Sequence, residues 1–214
     1  MKKKVGFLTG VGFFAAFVLW TLLVSFVGVE AIGPDGSQVG FAPMNGAVHR
    51  ALGVNMTIYD ITDWLGYVTI GVASCFAIMG AVQWIKRRHF TSVDFDIRVL
   101  GGFYLLVIAC YVTFEFVAIN YRPVLIEGKL EASYPSSTTM LAMCVMLTVE
   151  MLLRRRLGNR SARLCVTAFI YAFVAFTVVG RLISGVHWLS DIIGGALFSM
   201  GVVITYYSII ADKK

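Results

Sequence analysis

Charge is what this sequence lacks. Only 14% of its residues are charged, against 58% that are hydrophobic, whereas a soluble chain of this length is about a quarter charged. That shortage excludes an ordinary water-soluble domain and makes the membrane class the first reading. Cysteine is scarce as well. Cys75, Cys110, Cys144 and Cys165 each lie inside an apolar run, with no CxxC pair and no metal-ligand spacing. They read as small core residues, and neither a disulfide framework nor a zinc site is indicated. Strand-length alternation of polar and apolar residues is missing, which argues against an outer-membrane barrel. Of the three histidines, His49 and His89 read as ordinary polar residues.

What is present is a set of long apolar runs. A helix needs about 20 apolar residues to cross a bilayer. Six stretches qualify: residues 5–29, 64–85, 99–119, 136–153, 164–180 and 188–210. The expected fold class is therefore an all-α membrane protein with six transmembrane helices, a single integral membrane domain over residues 1–214. Sixteen Phe, nine Tyr and four Trp suit lipid-facing surfaces and interfacial belts. The opening MKKK and its apolar run have the look of a signal peptide, with Val29-Glu30-Ala31 as a poor cleavage site. The run is too long for a typical signal core, so a retained helix is expected.

The net charge of +6 invites a nucleic-acid reading. It fails once the charges are located, because they sit in short runs between apolar segments, where they set topology. With the N-terminus in the cytoplasm, the inside segments are MKKK, residues 86–98, residues 154–163 and the final DKK. They hold 14 of the 18 Lys and Arg residues. The positive-inside rule then places both termini in the cytoplasm. Only Arg50, Arg122, Lys129 and Arg181 remain outside. The first outside segment, residues 30–63, carries GPDG, Pro43, Asn45-Gly46 and Asn55 and is dominated by turn chemistry. A short helix is expected near residues 44–52. There is no internal repeat and no low-complexity tract.

Three short pieces fall at the outer ends of spans three to six: Arg122-Pro123, PSST at 135–138, and RLISGVHWLSD at 181–191. His187 and Asp191 are four apart, and on a helix such a pair shares a face. A carboxylate there fixes the imidazole tautomer and leaves the other nitrogen free as a nucleophile. Arg122 and Arg181 offer forked phosphate contacts. The start of span four offers free backbone N–H groups and a positive dipole end, and Ser136 adds a hydroxyl. These parts suffice for phosphoryl transfer to histidine and hydrolysis of the phosphohistidine, with no metal or cofactor required.

These residues resemble the type 2 phosphatidic acid phosphatase superfamily of membrane lipid phosphatases, whose motifs are KX6RP, PSGH and SRX5HX3D. This chain gives E-FVAINY-RP (115–123), PSST (135–138) and GR-LISGV-H-WLS-D (180–191). Spacing, order and the six-span layout match over nearly the whole chain, and the outer loop resembles that of Gram-positive bacterial members. The resemblance implies that His187 is the nucleophile, that Asp191 orients it, and that Arg122, Arg181 and Ser136, with Ser137 beside it, bind phosphate. Three positions depart from the pattern. Glu115 stands for a phosphate-binding lysine, Thr138 for the histidine that protonates the leaving group, and Gly180 for a serine. A carboxylate at 115 repels phosphate unless protonated or paired with Arg122 or Arg181.

Each residue also has an ordinary structural use. His187 can be a solvated cap, Arg122 a snorkelling anchor, and one of Ser136 and Ser137 a helix cap. The expected function is hydrolysis of a lipid phosphate or pyrophosphate facing the outside of the cell membrane. Threonine cannot do a histidine's proton transfer near neutral pH. The loss of that acid favours undecaprenyl pyrophosphate over phosphatidic acid or phosphatidylglycerophosphate, because its leaving group is a phosphate rather than an alkoxide. The alternative is a repurposed member that binds lipid phosphate without turnover. Lipid phosphate and membrane lipids are the expected partners, and nucleic acid is not.

Overall fold

A computed structural model describes residues 2–211, with side chains from Lys4 onward. Parts of the two basic ends used for orientation, Met1, the side chains of Lys2 and Lys3, and residues 212–214, lie outside the described residues. The described chain forms seven helices: α1 Lys2–Phe26, α2 Ala42–Leu52, α3 Met56–Arg87, α4 Phe95–Phe116, α5 Ser137–Arg156, α6 Arg160–Ile183 and α7 Leu189–Ile210. All but α2 are long and apolar enough to cross a membrane. The six expected spans are the six long helices, and the expected short helix in the outer loop is α2. Among the described residues there is no strand, only isolated antiparallel bridges such as Tyr121 to Ala132.

Sequence chemistry sets the helix ends. Asn55 accepts from the Ile58 N–H at 3.1 Å and starts α3, and Asn159 accepts from the Ser161 N–H at 2.8 Å and starts α6. The Asn55 cap lets α3 begin about two turns before its apolar run, so Asp60 and Asp63 ride on the helix rather than in a loop. At 32 residues, α3 is about 48 Å long at 1.5 Å per residue, well beyond a ~30 Å hydrocarbon core. At its far end Asp94 pairs with Arg87 at 2.8 Å and bonds Gln83, which closes the turn into α4. That contact with Arg87 holds the Asp94 carboxyl below its usual range.

Two helices form the centre. In α5 and α7, 61% of the spanning residues are buried, against 11–22% in the other four. Helix α1 packs most extensively against α7. Lipid tails are as apolar as the side chains, so close backbone approach and van der Waals contact drive such pairing. Gly6 and Gly10 supply it: a Cβ at Gly10 would sit 3.0 Å from the Thr205 backbone nitrogen and 3.2 Å from the Gly201 carbonyl oxygen. On α7, Gly194 lies under the Tyr134 ring, which would be 2.6 Å from a Cβ there. Helix α5 contains one π turn, Ala142–Met146, and the Thr148 hydroxyl bonds the carbonyls of Cys144 and Val145 at 2.6 and 2.9 Å.

The cysteine expectation holds for half the set. Cys110 and Cys144 are buried, whereas Cys75 and Cys165 are exposed on α3 and α6. An apolar run does not tell the bundle face from the lipid face, because both accept the same side chains.

The packing of α1 on α7 yields a first test. Gly10→Val should lower the detergent-solubilised melting temperature, in line with the ~1–3 kcal/mol typical of overpacking. Gly12→Val, whose Cβ meets nothing within 4 Å, should leave it within a degree or two. Equal melting temperatures would remove Gly10 from the helix contact.

Candidate active site

The connections that carry the motif segments meet the ends of α3 to α7 at one end of the bundle. Residues 117–136 leave α4 and fold back as a hairpin. Glu127 and Gly128, with φ of 49° and 75°, occupy its tip, the pattern of a two-residue type I′ turn. The Arg122 N–H donates to the Glu131 carbonyl, and the Ser133 N–H to the Asn120 carbonyl. The Trp188 indole then donates to the Tyr121 carbonyl at 2.7 Å, and so fastens the hairpin to the start of α7.

His187 lies just ahead of that start, 3% exposed. Gly185 makes the approach feasible: its φ is +69°, and a Cβ there would fall 2.0 Å from the Gly53 carbonyl oxygen. The Arg122 Nη1 is 3.3 Å from His187 Nε2. The other ring nitrogen, Nδ1, is 3.7 Å from Asp191 Oδ2, close enough for an ion pair and too long for a hydrogen bond. This corrects the expected His187–Asp191 hydrogen bond. His187 precedes the helix, so the shared-face rule does not apply to it. Asp191 Oδ2 instead accepts the Trp188 N–H at 3.0 Å, and Oδ1 accepts Asn120 Nδ2 at 2.9 Å. Burial pushes the His187 imidazole down to about 4. The Arg122 charge adds to that and Asp191 opposes it. The ring is thus neutral near pH 7, and a proton on Nδ1 beside Asp191 leaves Nε2 with its lone pair toward Arg122.

Both arginines carry carboxylates that sequence reasoning did not pair with them. Arg122 Nε faces Glu131 Oε2 at 3.0 Å. Arg181, 2% exposed, donates from Nη2 to Asp63 at 2.8 Å and to the Thr138 hydroxyl at 2.6 Å, and lies 4.9 Å over the Tyr59 ring. Of the two alternatives open for Glu115, pairing with one of these arginines is not formed among the described residues. Thr138 bonds the arginine rather than lining the space in front of His187.

The two serines divide the expected roles. Ser136 is fully buried; its hydroxyl accepts from the Thr139 N–H at 3.5 Å and its own N–H bonds the Asp191 carbonyl. It is the cap of α5, the structural use open to one of the two serines. Ser137 lines a cavity of about 20 Å³ with His187, Glu115, Tyr111, Ser133 and Pro135, room for about one water. Glu115 and Ala132 also line an adjoining groove of about 590 Å³, together with Lys129, Glu131 and the end of α4.

A buried polar network holds these parts. Asn45 donates to the Ser190 hydroxyl at 2.8 Å and accepts the Ser190 N–H at 3.1 Å. Asn120 accepts the Gly40 N–H at 3.0 Å and donates to Asp191. Sequence reasoning missed Asn45, Asn120, Ser190, Asp63 and Glu131. The available signal was polarity inside otherwise apolar surroundings, which is costly unless satisfied.

A model of the PAP2 superfamily matches residues 68–214, a stretch that contains all three motif segments. The chain belongs to the PAP2 superfamily. No curated protein matches it. Among solved structures it is similar to one described as the first transmembrane PAP2 type phosphatidylglycerolphosphate phosphatase from Bacillus subtilis, at 20% identity and a TM-score of 0.59 over 95% of this chain and 96% of that one. At that identity the likeness speaks for the fold, that of PAP2 membrane phosphatases.

The environment of His187 in this PAP2 protein is open to titration. With the imidazole carbon isotopically labelled, its NMR midpoint should lie near 4 rather than the ordinary ~6.5. In Arg122→Gln the midpoint should rise, because one neighbouring positive charge is gone, while burial still keeps it below the ordinary value. A wild-type midpoint near 6.5 would contradict the buried placement.

Proposed function

We propose that the protein is a metal-independent lipid phosphatase whose nucleophile is His187 and whose substrate is a lipid pyrophosphate, undecaprenyl pyrophosphate ahead of phosphatidic acid or phosphatidylglycerophosphate. The observation that carries this reading is the 3.3 Å approach of Arg122 Nη1 to His187 Nε2. A phosphoryl group bound to that guanidinium lies against the one ring nitrogen free to attack. Nε2 forms a bond to the terminal phosphorus, the bridging P–O bond breaks, and lipid monophosphate departs. Water then displaces the phosphoryl group from Nε2, and phosphate leaves. Arg122 and Arg181 balance charge on the phosphoryl oxygens.

Substrate preference follows from Thr138. Its hydroxyl is engaged with Arg181, and it has no proton to give near neutral pH. General acid help is worth about 10²–10⁴ in rate, and a phosphate leaving group needs it far less than the alkoxide of a phosphomonoester. The charge distribution favours both termini in the cytoplasm and the site in the outer leaflet.

A second reading has its own observation. Arg122 and Arg181 are already paired with Glu131 and Asp63, so a lipid phosphate competes with both carboxylates for these guanidiniums. This is the arrangement expected of a repurposed binder without turnover. Phosphate release from a panel of lipid phosphates decides between the two. The enzyme reading expects release that is lost in His187→Ala, a phosphohistidine lost in the same variant, and no sensitivity to a chelator. Polyprenyl pyrophosphate should turn over faster than phosphatidic acid. Retained lipid binding with no release above the His187→Ala control would leave the binder.

A further inference from the structure

With Thr138 turned to Arg181, the second half-reaction lacks an evident base. We infer that Glu115 is that base, the residue that removes a proton from the water attacking the phosphohistidine. The inference rests on the phosphatase reading above and goes beyond it. Glu115 is the one carboxylate lining the 20 Å³ cavity that also contains His187. Among the described residues it has no ion pair, because the two arginines of the site are held by Glu131 and Asp63. It sits at the end of α4, where the cavity meets the open groove. It is therefore exposed to water on one side and faces the nucleophile's chamber on the other.

The chemistry balances without a further reactant. After the first step His187 carries the phosphoryl group on Nε2 and a proton on Nδ1, a cationic ring beside Asp191. A water oxygen forms the new P–O bond while its proton passes to the Glu115 carboxylate. The P–N bond breaks, and its electron pair returns to Nε2, which restores the neutral imidazole. Glu115 then gives the proton to solvent through the groove. A carboxylate at this position thus does work that the lysine of the family motif cannot do. Repulsion between Glu115 and incoming phosphate is the cost of the arrangement.

The test separates the two half-reactions. Purified wild type, Glu115→Gln, Glu115→Ala and His187→Ala are mixed with polyprenyl pyrophosphate labelled in its terminal phosphate. Glu115→Gln should show a burst of about one lipid monophosphate per protein. Steady phosphate release should then be about 100-fold slower or more, with label trapped on His187. In Glu115→Ala, added formate should restore phosphate release, a rescue that no packing role of Glu115 provides. Phosphate release by Glu115→Gln at or above the wild-type rate would overturn the inference and leave Glu115 as a repulsive charge only. Loss of burst and release together, without trapped label and without formate rescue, would overturn it as well. Absence of both release and trapped label in the wild type would overturn the phosphatase reading itself, and this inference with it.

Discussion

The motif-bearing end of this bundle depends on a short chain of buried amides and hydroxyls. Asn45 comes from α2, Asn120 from the hairpin, and Ser190 and Asp191 from the first turn of α7. All four are fully buried, so each polar atom must find a partner inside the protein or incur a large desolvation cost. Their mutual bonds join three segments that are otherwise distant in sequence. Asp191 is central. One of its oxygens closes the first turn of α7 on the Trp188 N–H, and the other anchors Asn120. The carboxylate that the motif pattern marks as a partner of the histidine is thus first an architectural element. Its influence on His187 is exerted as a charge at 3.7 Å.

The electrostatics of the site follow from burial. Arg181 is almost wholly removed from solvent, and a buried guanidinium left alone is strongly unfavourable. Asp63, the Thr138 hydroxyl and the Tyr59 ring together offset most of that cost, although Nε has no hydrogen-bond partner. Arg122 is similarly matched by Glu131. Each guanidinium of the resting site is therefore already held by an internal carboxylate. An anion that displaced either carboxylate would exchange one set of anionic contacts for another. Affinity then reflects the difference between the two sets rather than the full strength of an arginine–phosphate pair.

The six spans and the end of the bundle that carries the motifs were legible in the sequence because both rest on long-range arithmetic: runs of about 20 apolar residues, and the parity of crossings between them. The grouping of Arg122, Ser137, Glu115 and His187 was legible for the same reason. The partners of each side chain were not. Whether Ser136 or Ser137 caps α5 depends on a one-residue register. The pairing of Arg181 with Asp63 depends on α3 starting early, at an asparagine cap that lies in polar sequence. Whether His187 reaches Asp191 depends on where α7 begins, and two residues separate a helical pair from a pair straddling the cap. Such differences are small on the scale of hydropathy and decisive on the scale of a hydrogen bond.

The division between central and outer helices has a mechanical side. Helices α5 and α7 are mostly enclosed by protein, while α3 is long, lipid-facing and extends past the hydrocarbon layer. A membrane of different thickness acts first on the helices that touch it, through tilt and local lipid deformation. His187 and the PSST loop ride on the enclosed pair, which the lipid scarcely touches. Asp63, which holds Arg181, rides on the outermost and longest helix. Bilayer thickness therefore bears on the arginine's restraint more directly than on the histidine, and so gives the surrounding lipid a lever on how readily the site accepts an anion.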